Sequence, residues 1–297
     1  MPNVELAGPR ISTLQTNGSF AGGSTNGDCH VDQSGVNSNE KAVIANARVV
    51  VYCWGSFYDR HPDALTYAEA LCKDLVTGPF LNGLAQYGVG RGSVKVAGRF
   101  VDTLKAPPAT LSEDEAQKAL LALIKDGLPE DQPSVDETSL MYVVFLPPET
   151  RPTILSKQND FCGYHNWAKF NDSSTNADVF YAIIRTDKAG QESGKLLIDS
   201  VSYCVSHEIG EMLTNRDGRG YHNGKCEIGD LCEQLGNYDY RGWQVEQYWS
   251  QWDNACIKGD SPVSLRRFLS ARGITSRSLK ALQTQVVNIE FIASQFR

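Results

Sequence analysis

Four short stretches of the chain have the apolar character of β-strands. Residues 48–54, 140–146 and 179–184 are nearly continuous apolar runs rich in Val, Ile, Tyr and Phe, whereas residues 93–97 alternate between polar and apolar. Continuous runs of this length are typical of buried strands, and strict alternation is also typical of a strand. The pattern therefore predicts a sheet with several buried strands.

Three other stretches have the pattern of helices. Residues 67–76 are followed by a Gly-Pro pair, and residues 116–125 follow a capping box formed by Ser112 and Glu115. In the third stretch, apolar residues recur at three- and four-residue steps from position 198 to position 212. Strands that alternate with helices favour an α/β fold, in which helices pack on a mixed sheet.

The composition changes at both ends of the chain and predicts three segments. Residues 1–40 are rich in Gly, Ser, Asn and Thr and are expected to be an irregular or disordered lead-in. Residues 41–257 would form the main domain, of which residues 218–254 are loop-rich and aromatic. Residues 258–297 carry seven Lys and Arg, although the whole chain has a net charge of −7. Apolar residues at helical steps beside these charges indicate a basic helical appendage docked on the domain, with binding of a partner or an anionic surface as the alternative. No nucleic-acid partner is expected.

The most informative motif lies on the third predicted helix, where residues 207–211 are His-Glu-Ile-Gly-Glu. This H-E-x-x-E motif differs by one residue from the H-E-x-x-H zinc signature. On a helix, His207 and Glu211 lie one turn apart and point to the same side, nearly opposite to the apolar stripe. An imidazole and a carboxylate at this spacing can hold Zn²⁺, and Glu208 would act as the general base that accepts a proton from water.

A zinc ion needs a third protein ligand, and the sequence offers three acidic candidates. Glu227 and Asp230 follow the helix closely, and Asp217 lies ten residues beyond His207, where one class of zinc peptidase carries its third ligand. We favour Glu227, because a downstream Glu that completes a helical pair is a recurrent zinc arrangement. Asp230 is the second choice, with a role in orienting His207 as its alternative.

His165 and two tyrosines are further candidates for the site. His165 follows Gly-Tyr in an expected loop, where it would bind a substrate oxyanion, ligate the metal or hydrogen-bond to backbone. Tyr164 and Tyr221 are candidate oxyanion donors, since a phenol near zinc can stabilise developing negative charge. The sequence contains neither a G-x-x-x-x-G-K-[ST] nor a G-x-S-x-G motif, so nucleotide-phosphate and serine-hydrolase chemistry are not expected.

The cysteine content bears on the compartment. Eight Cys is high for a cytosolic chain of 297 residues, and the even number favours disulfides. We expect Cys226 to pair with Cys232 or Cys256. No apolar run approaches the length of a membrane span, and the first residues lack the pattern of a secretory signal. The cysteines favour an extracellular or exported protein, while the N-terminal sequence leaves the route open.

Two resemblances support parts of this interpretation. The H-E-x-x-E helix with residues 227–232, Glu-Ile-Gly-Asp-Leu-Cys, resembles a group of uncharacterised bacterial and fungal proteins with a zincin-like metal motif. That resemblance implies a zincin-like active-site helix. Residues 52–55, 161–165 and 180–182 are similar to blocks of the plant Exordium, or phosphate-induced, secreted proteins, which implies a wall-associated growth role rather than a chemistry. Ordinary zinc peptidases have His where Glu211 stands, and a Glu ligand lowers the Lewis acidity of zinc.

Two function classes follow from these patterns. The first is a zinc-dependent hydrolase, specifically a metallopeptidase with a peptide or protein substrate, in which an edge strand formed by residues 179–184 would bind the extended peptide. The second is a non-catalytic, metal-stabilised binding protein that recognises a carbohydrate or protein partner through aromatic loops. Its stacking surface would consist of Trp243, Tyr248, Trp249 and Trp252.

Overall fold

A computed structural model describes most of the central part of the chain. The described residues are 42–96, 106–126, 132–134, 138–153, 162–171, 176–186, 198–223 and 226–261, together with Cys29 and Val36. The predicted lead-in and the basic appendage lie almost entirely outside these residues, and their boundaries stay predictions.

Within the described residues the chain forms helices and strands in alternation. The α-helices are α1 (Phe57–Arg60), α2 (Pro62–Thr77), α3 (Glu113–Asp126) and α4 (Ile198–Asn215), and 3₁₀ helices span Pro79–Tyr87 and Asp230–Leu235. The strands are β1 (Arg48–Cys53), β2 (Ser93–Val96), β3 (Thr110–Leu111), β4 (Leu140–Phe145), β5 (Arg151–Pro152), β6 (Gly163–Asn171), β7 (Asn176–Ile184), β8 (His222–Asn223), β9 (Cys226–Glu227), β10 (Asn237–Tyr240), β11 (Trp243–Ser250) and β12 (Ala255–Lys258).

A five-stranded mixed sheet lies at the centre, with the strand order β2-β1-β4-β7-β6. The first four of these strands run parallel to one another, and β6 runs antiparallel to β7. The sheet and its flanking helices confirm the predicted α/β class. Among the described residues, no helix is both long and apolar enough to cross a membrane.

Both faces of the sheet are covered, which explains the continuous apolar runs. In β1, Val49 and Val51 pack with apolar residues of α2 and α4, whereas Val50 and Tyr52 pack with those of α3. The same alternation holds along β4 and β7. Because successive side chains of a strand point to opposite faces, a strand buried on both sides needs apolar residues at every position. The runs at 48–54, 140–146 and 179–184 all belong to such strands.

The prediction that residues 179–184 form an edge strand is wrong. β7, which contains residues 179–184, lies between β4 and β6, and β6 forms the edge. Sequence analysis missed β6 because polar residues interrupt its apolar pattern. Tyr164, Ala168 and Phe170 face α3, while His165 points to the α4 face of the sheet. His165 therefore sits on a strand and not in the expected loop.

Helix α4 is buried on more than one side. Val201, Val205, Ile209 and Met212 lie in the core, which confirms the apolar stripe. The opposite side of the helix is covered too, because residues 237–258, within a region predicted to be largely loops, form the antiparallel sheet β10-β11-β12. A Cβ added to Gly210 would overlap the ring of Tyr248, so the glycine lets β11 approach the helix closely.

The other two long helices are confirmed with adjusted starts. Helix α2 begins at Pro62, five residues before the predicted start, with proline in a position that suits the first helical turn. Helix α3 carries the predicted capping box, since the Glu115 backbone N–H donates to Ser112 Oγ at 3.3 Å and the Ser112 N–H donates to Glu115 Oε2 at 2.8 Å.

All eight cysteines are described, and six of them form disulfides. The pairs are Cys29–Cys226, Cys162–Cys204 and Cys232–Cys256, and Cys53 and Cys72 are free and buried. The expected pairing of Cys226 with Cys232 or Cys256 is wrong, because Cys226 is bonded to Cys29 in the N-terminal segment. Three disulfides fit a protein of an oxidising compartment.

Candidate metal centre

Side chains from four parts of the fold meet beside α4 in a cluster that we call the carboxylate–histidine cluster. Helix α4 contributes three of them, β6 and β11 one each, and the segment that begins with β9 two. The members are His165, His207, Glu208, Glu211, Glu227, Asp230 and Glu246. Six of the seven are buried, with at most 2% of each residue exposed, and Asp230 is the one partly accessible member, with 14% of its side chain exposed.

The imidazole of His207 is held from one side and faces carboxylates on the other. Its Nδ1 contacts the carboxylate of Glu246 at hydrogen-bonding distance. When this carboxylate is ionised it can only accept, and Nδ1 then carries the hydrogen. On the other side, Nε2 lies 3.0 Å from Glu211 Oε2 and 3.8 Å from Asp230 Oδ1. Nε2 is fully buried and makes no hydrogen bond within the described residues.

The imidazole of His165 is arranged in the same way. Its Nδ1 lies 3.0 Å from Glu208 Oε2, and its Nε2 lies 3.5 Å from Glu227 Oε1. The ring is also close to Glu211, whose Oε2 is 3.9 Å from Nδ1. The position of His165 follows from the register of β6, because Tyr164 points to the opposite face of the sheet.

Hydrogen bonds from neighbouring groups fix the carboxylates. Asn215, the last residue of α4, donates from Nδ2 to Glu227 Oε1 at 2.6 Å. The backbone N–H of Asp230 donates to Glu211 Oε1 at 3.2 Å, which leaves Oε2 as the atom nearest His207. The hydroxyl of Tyr203 donates to Glu246 Oε1 at 2.5 Å. These bonds hold three of the carboxylates in defined positions.

The cluster has an excess of acidic over basic side chains in a region that is almost entirely buried. Burial opposes the protonation of His207, yet Glu211 and Glu246 raise its pKa well above the usual value. Burial, together with Asp230, raises the pKa of Glu211, and burial raises the pKa of Asp230 to about 7. Without a cation, the cluster therefore holds protons, and a bound divalent cation would displace them.

The residues present fit a metal ion. Two sets of three have their ligand atoms within 4.8 Å of one another, namely His207, Glu211 and Asp230, and His165, Glu211 and Glu227. Ligand atoms on a tetrahedral zinc ion are about 3.3 Å apart, given bonds of about 2.0–2.1 Å. The 3.0 Å between His207 Nε2 and Glu211 Oε2 is close to that separation. Imidazole and carboxylate ligands together suit zinc and other divalent transition metals.

The three acidic candidates for the third ligand lie in different places in the fold. Glu227, which we favoured from the sequence, lies with His165 and Glu211, whereas Asp230 lies with His207 and Glu211. Asp217 lies apart from both sets and forms an ion pair with Arg219. Asp217 is therefore not a member of the cluster, although it lies ten residues beyond His207 in the sequence.

The aromatic candidates do not line the cluster. Tyr221 is buried against the ring of Tyr87, with ring centres 4.5 Å apart. Tyr164 packs on the α3 side of the sheet, away from His165. Tyr248, expected on a stacking surface, is fully buried beneath α4, where its hydroxyl donates to the backbone oxygen of Ser206. The four aromatic residues at 243–252 therefore do not form one exposed platform.

Sequence analysis missed Glu246, which holds Nδ1 of His207. The signal was present in the alternation of β11, where Glu246 and Tyr248 are buried on the side of the strand that faces α4. A charged residue at an inward-facing position of a strand marks a functional candidate, because burying a carboxylate without a partner is costly.

The comparison with known proteins adds no family to this geometry. No model of a protein family matches the chain, and no curated protein matches it. The functional argument therefore rests on the carboxylate–histidine cluster.

Proposed function

We propose that the protein is a zinc-dependent hydrolase that acts on peptides or proteins, with the metal held by His207, Glu211 and Asp230. The supporting observation is the placement of His207 Nε2, which is buried and lies 3.0 Å from Glu211 Oε2 while Glu246 holds Nδ1. A carboxylate on the far nitrogen of a ligating histidine is the usual support of a metal site.

Asp230 makes this set the better choice for the first ion. It is the most exposed member of the cluster, with 14% of its side chain accessible, so it marks the side from which water and substrate would reach the metal. A catalytic zinc site has three protein ligands and one open position, and His207, Glu211 and Asp230 supply three. When bound, the metal would acidify a water molecule and polarise a carbonyl group.

Glu208 is the residue that we assign to proton transfer. It follows His207 directly on α4, and its Oε2 lies 3.0 Å from His165 Nδ1. That contact holds the buried carboxylate against His165. A carboxylate held there would accept a proton from water and pass it to a leaving amine, which is the role of a general base and then a general acid.

A metal-stabilised protein without catalysis is the second candidate, and the depth of the cluster favours it. His207 is 1% exposed and Glu208 is 0% exposed, which is typical of a structural site that is closed to substrate. In this case the ion would join α4 to β6, β11 and the segment after β9. We further infer that the protein acts outside the cell in either case, because its three disulfides favour an oxidising compartment.

A peptide-library digest tests the catalytic proposal. Wild-type protein loaded with Zn²⁺ is incubated with the library, and cleavage is followed by mass spectrometry before chelation, after chelation and after return of Zn²⁺. We expect cleavage that is lost on chelation and restored by zinc. If zinc binds and raises the unfolding temperature but no peptide is cleaved in any state, the non-catalytic function replaces the hydrolase.

A further inference from the structure

The two histidines of the cluster make similar contacts through their ring nitrogens. In each, Nδ1 contacts one glutamate, which is Glu246 for His207 and Glu208 for His165. In each, Nε2 points to a second carboxylate, at 3.0 Å in Glu211 and at 3.5 Å in Glu227. Since a carboxylate on Nδ1 orients Nε2 toward a metal, the argument made for His207 extends to Nε2 of His165 and its neighbour Glu227. Glu211 differs between the two, because its Oε2 approaches His165 at Nδ1, 3.9 Å away.

The two imidazoles belong to different sets of ligands. His207 groups with Glu211 and Asp230, and His165 groups with Glu211 and Glu227, each set within 4.8 Å. Glu211 is the member that the sets share. Each set alone supplies three protein ligands, which is the number that an ion takes at an open site, so the two sets together supply enough ligands for two ions.

The charge of the cluster favours the same conclusion. Its five carboxylates are Glu208, Glu211, Glu227, Asp230 and Glu246, and its imidazoles are neutral when they ligate a metal. Once bound metal has displaced the protons of the cluster, one divalent cation would balance two of the five carboxylate charges, and a pair would balance four. Because unbalanced charge is costly in a buried site, the second ion removes most of the remaining penalty.

We propose that the cluster binds two divalent cations, one at His207, Glu211 and Asp230 and the other at His165, Glu211 and Glu227, with the Glu211 carboxylate shared between them. The inference rests on the proposed function for the first ion and adds the second. Nitrogen and oxygen ligands of this kind take Zn²⁺, Mn²⁺ or Co²⁺. When bound, such a pair would stabilise both the attacking and the leaving oxygen of a hydrolysis, so the substrate class would include phosphate esters as well as peptides.

Metal stoichiometry tests the pair. Wild-type protein is stripped, reloaded with Zn²⁺, desalted and analysed by inductively coupled plasma mass spectrometry. We expect two ions per chain in the wild type, one in His165→Ala, one in Asp230→Ala and two in the control Asp217→Asn, whose carboxylate pairs with Arg219 outside the cluster. Two ions retained in His165→Ala would overturn the second site.

The unmutated protein provides a test that does not depend on whether a variant folds. Wild type is loaded with Mn²⁺ and examined by electron paramagnetic resonance. Two ions with an exchange-coupled spectrum support a shared Glu211, and two ions without coupling overturn it. One ion overturns the pair but leaves the proposed function intact. No bound ion overturns both, and His165 is then a protonated imidazole that joins Glu208 and Glu227.

Discussion

The carboxylate of Glu246 lies against Nδ1 of His207, on the opposite side of the ring from Glu211. The two residues are 39 positions apart, and only the packing of β11 on α4 brings them together. The backbone N–H of Glu246 also donates to Ser206 Oγ at 2.9 Å, next to His207 on the helix. Strand and helix are therefore fixed to each other at the point where the metal would bind.

Replacing Glu246 tests the role of this contact. Glu246→Gln keeps the size of the side chain but removes its charge, so Nδ1 of His207 loses its ionised acceptor. We expect zinc affinity to fall about 10–100-fold, measured by competition with a chromophoric chelator. The exposed change Glu69→Gln on α2 is the control and should leave the affinity unchanged. Equal affinities in all three proteins would show that Glu246 does not act on the metal site.

Gly229 provides a test that alters the cluster without removing a ligand. A Cβ at this position would lie 2.9 Å from Glu211 Oε1, Glu246 Oε2 and His207 Nδ1. Gly229→Ala should therefore push these groups apart and weaken zinc binding at least about tenfold, since metal affinity depends on the residues that orient the ligands. Chelator competition measures the loss.

The control for Gly229→Ala separates metal binding from stability. Gly242→Ala has nothing within 4 Å of the new Cβ, but its φ of +88° strains an alanine. It should lower the free energy of unfolding by about 1 kcal/mol and leave zinc affinity intact. If both variants lose metal to the same extent, the effect of Gly229→Ala comes from general destabilisation and not from the cluster.

Glu208→Gln tests catalysis. The amide keeps the shape of the side chain and removes its basicity, so the ion at His207, Glu211 and Asp230 should remain while hydrolysis falls about 10²–10⁴-fold. The measurement is cleavage of the best peptide from the library, with metal content determined on the same sample. A Glu208→Gln protein that cleaves as fast as wild type would exclude Glu208 as the general base.

The disulfide between Cys232 and Cys256 should stabilise the segment that carries Asp230. It closes a loop with a sequence separation of 24 residues and joins the 3₁₀ helix that begins at Asp230 to β12. Cys232→Ala with Cys256→Ala should lower the free energy of unfolding by roughly 3 kcal/mol, measured in urea. Mass mapping without reductant that joins either cysteine to another partner would contradict the pairing.

The parts of the site that sequence analysis predicted are those set by local periodicity. A helix of 3.6 residues per turn places His207 and Glu211 together whatever surrounds them, and the apolar stripe of α4 shows which side is packed. The buried strands were recognisable for the same reason, because a strand that is covered on both faces has apolar residues at successive positions.

The parts that were missed depend on contacts between distant segments. His165 reaches Glu208 across 43 residues through the edge position of β6, a strand whose polar residues hid its alternation. Proximity in sequence suggested residues 179–184 as the edge strand, but the edge is decided by the order of strands in the sheet. Cys226 likewise bonds to Cys29, 197 residues away, and spacing within one loop gave no sign of that partner.

Metal analysis of the wild type beside His207→Ala/Glu211→Ala tests most directly the claim that the carboxylate–histidine cluster is a metal centre. Both proteins are purified without chelator, given excess Zn²⁺, desalted and analysed by inductively coupled plasma mass spectrometry, with near-ultraviolet circular dichroism as the check on folding. We predict stoichiometric zinc in the wild type and none in a folded double variant. Wild-type protein that retains no metal, or a double variant that retains as much as the wild type, would contradict the account.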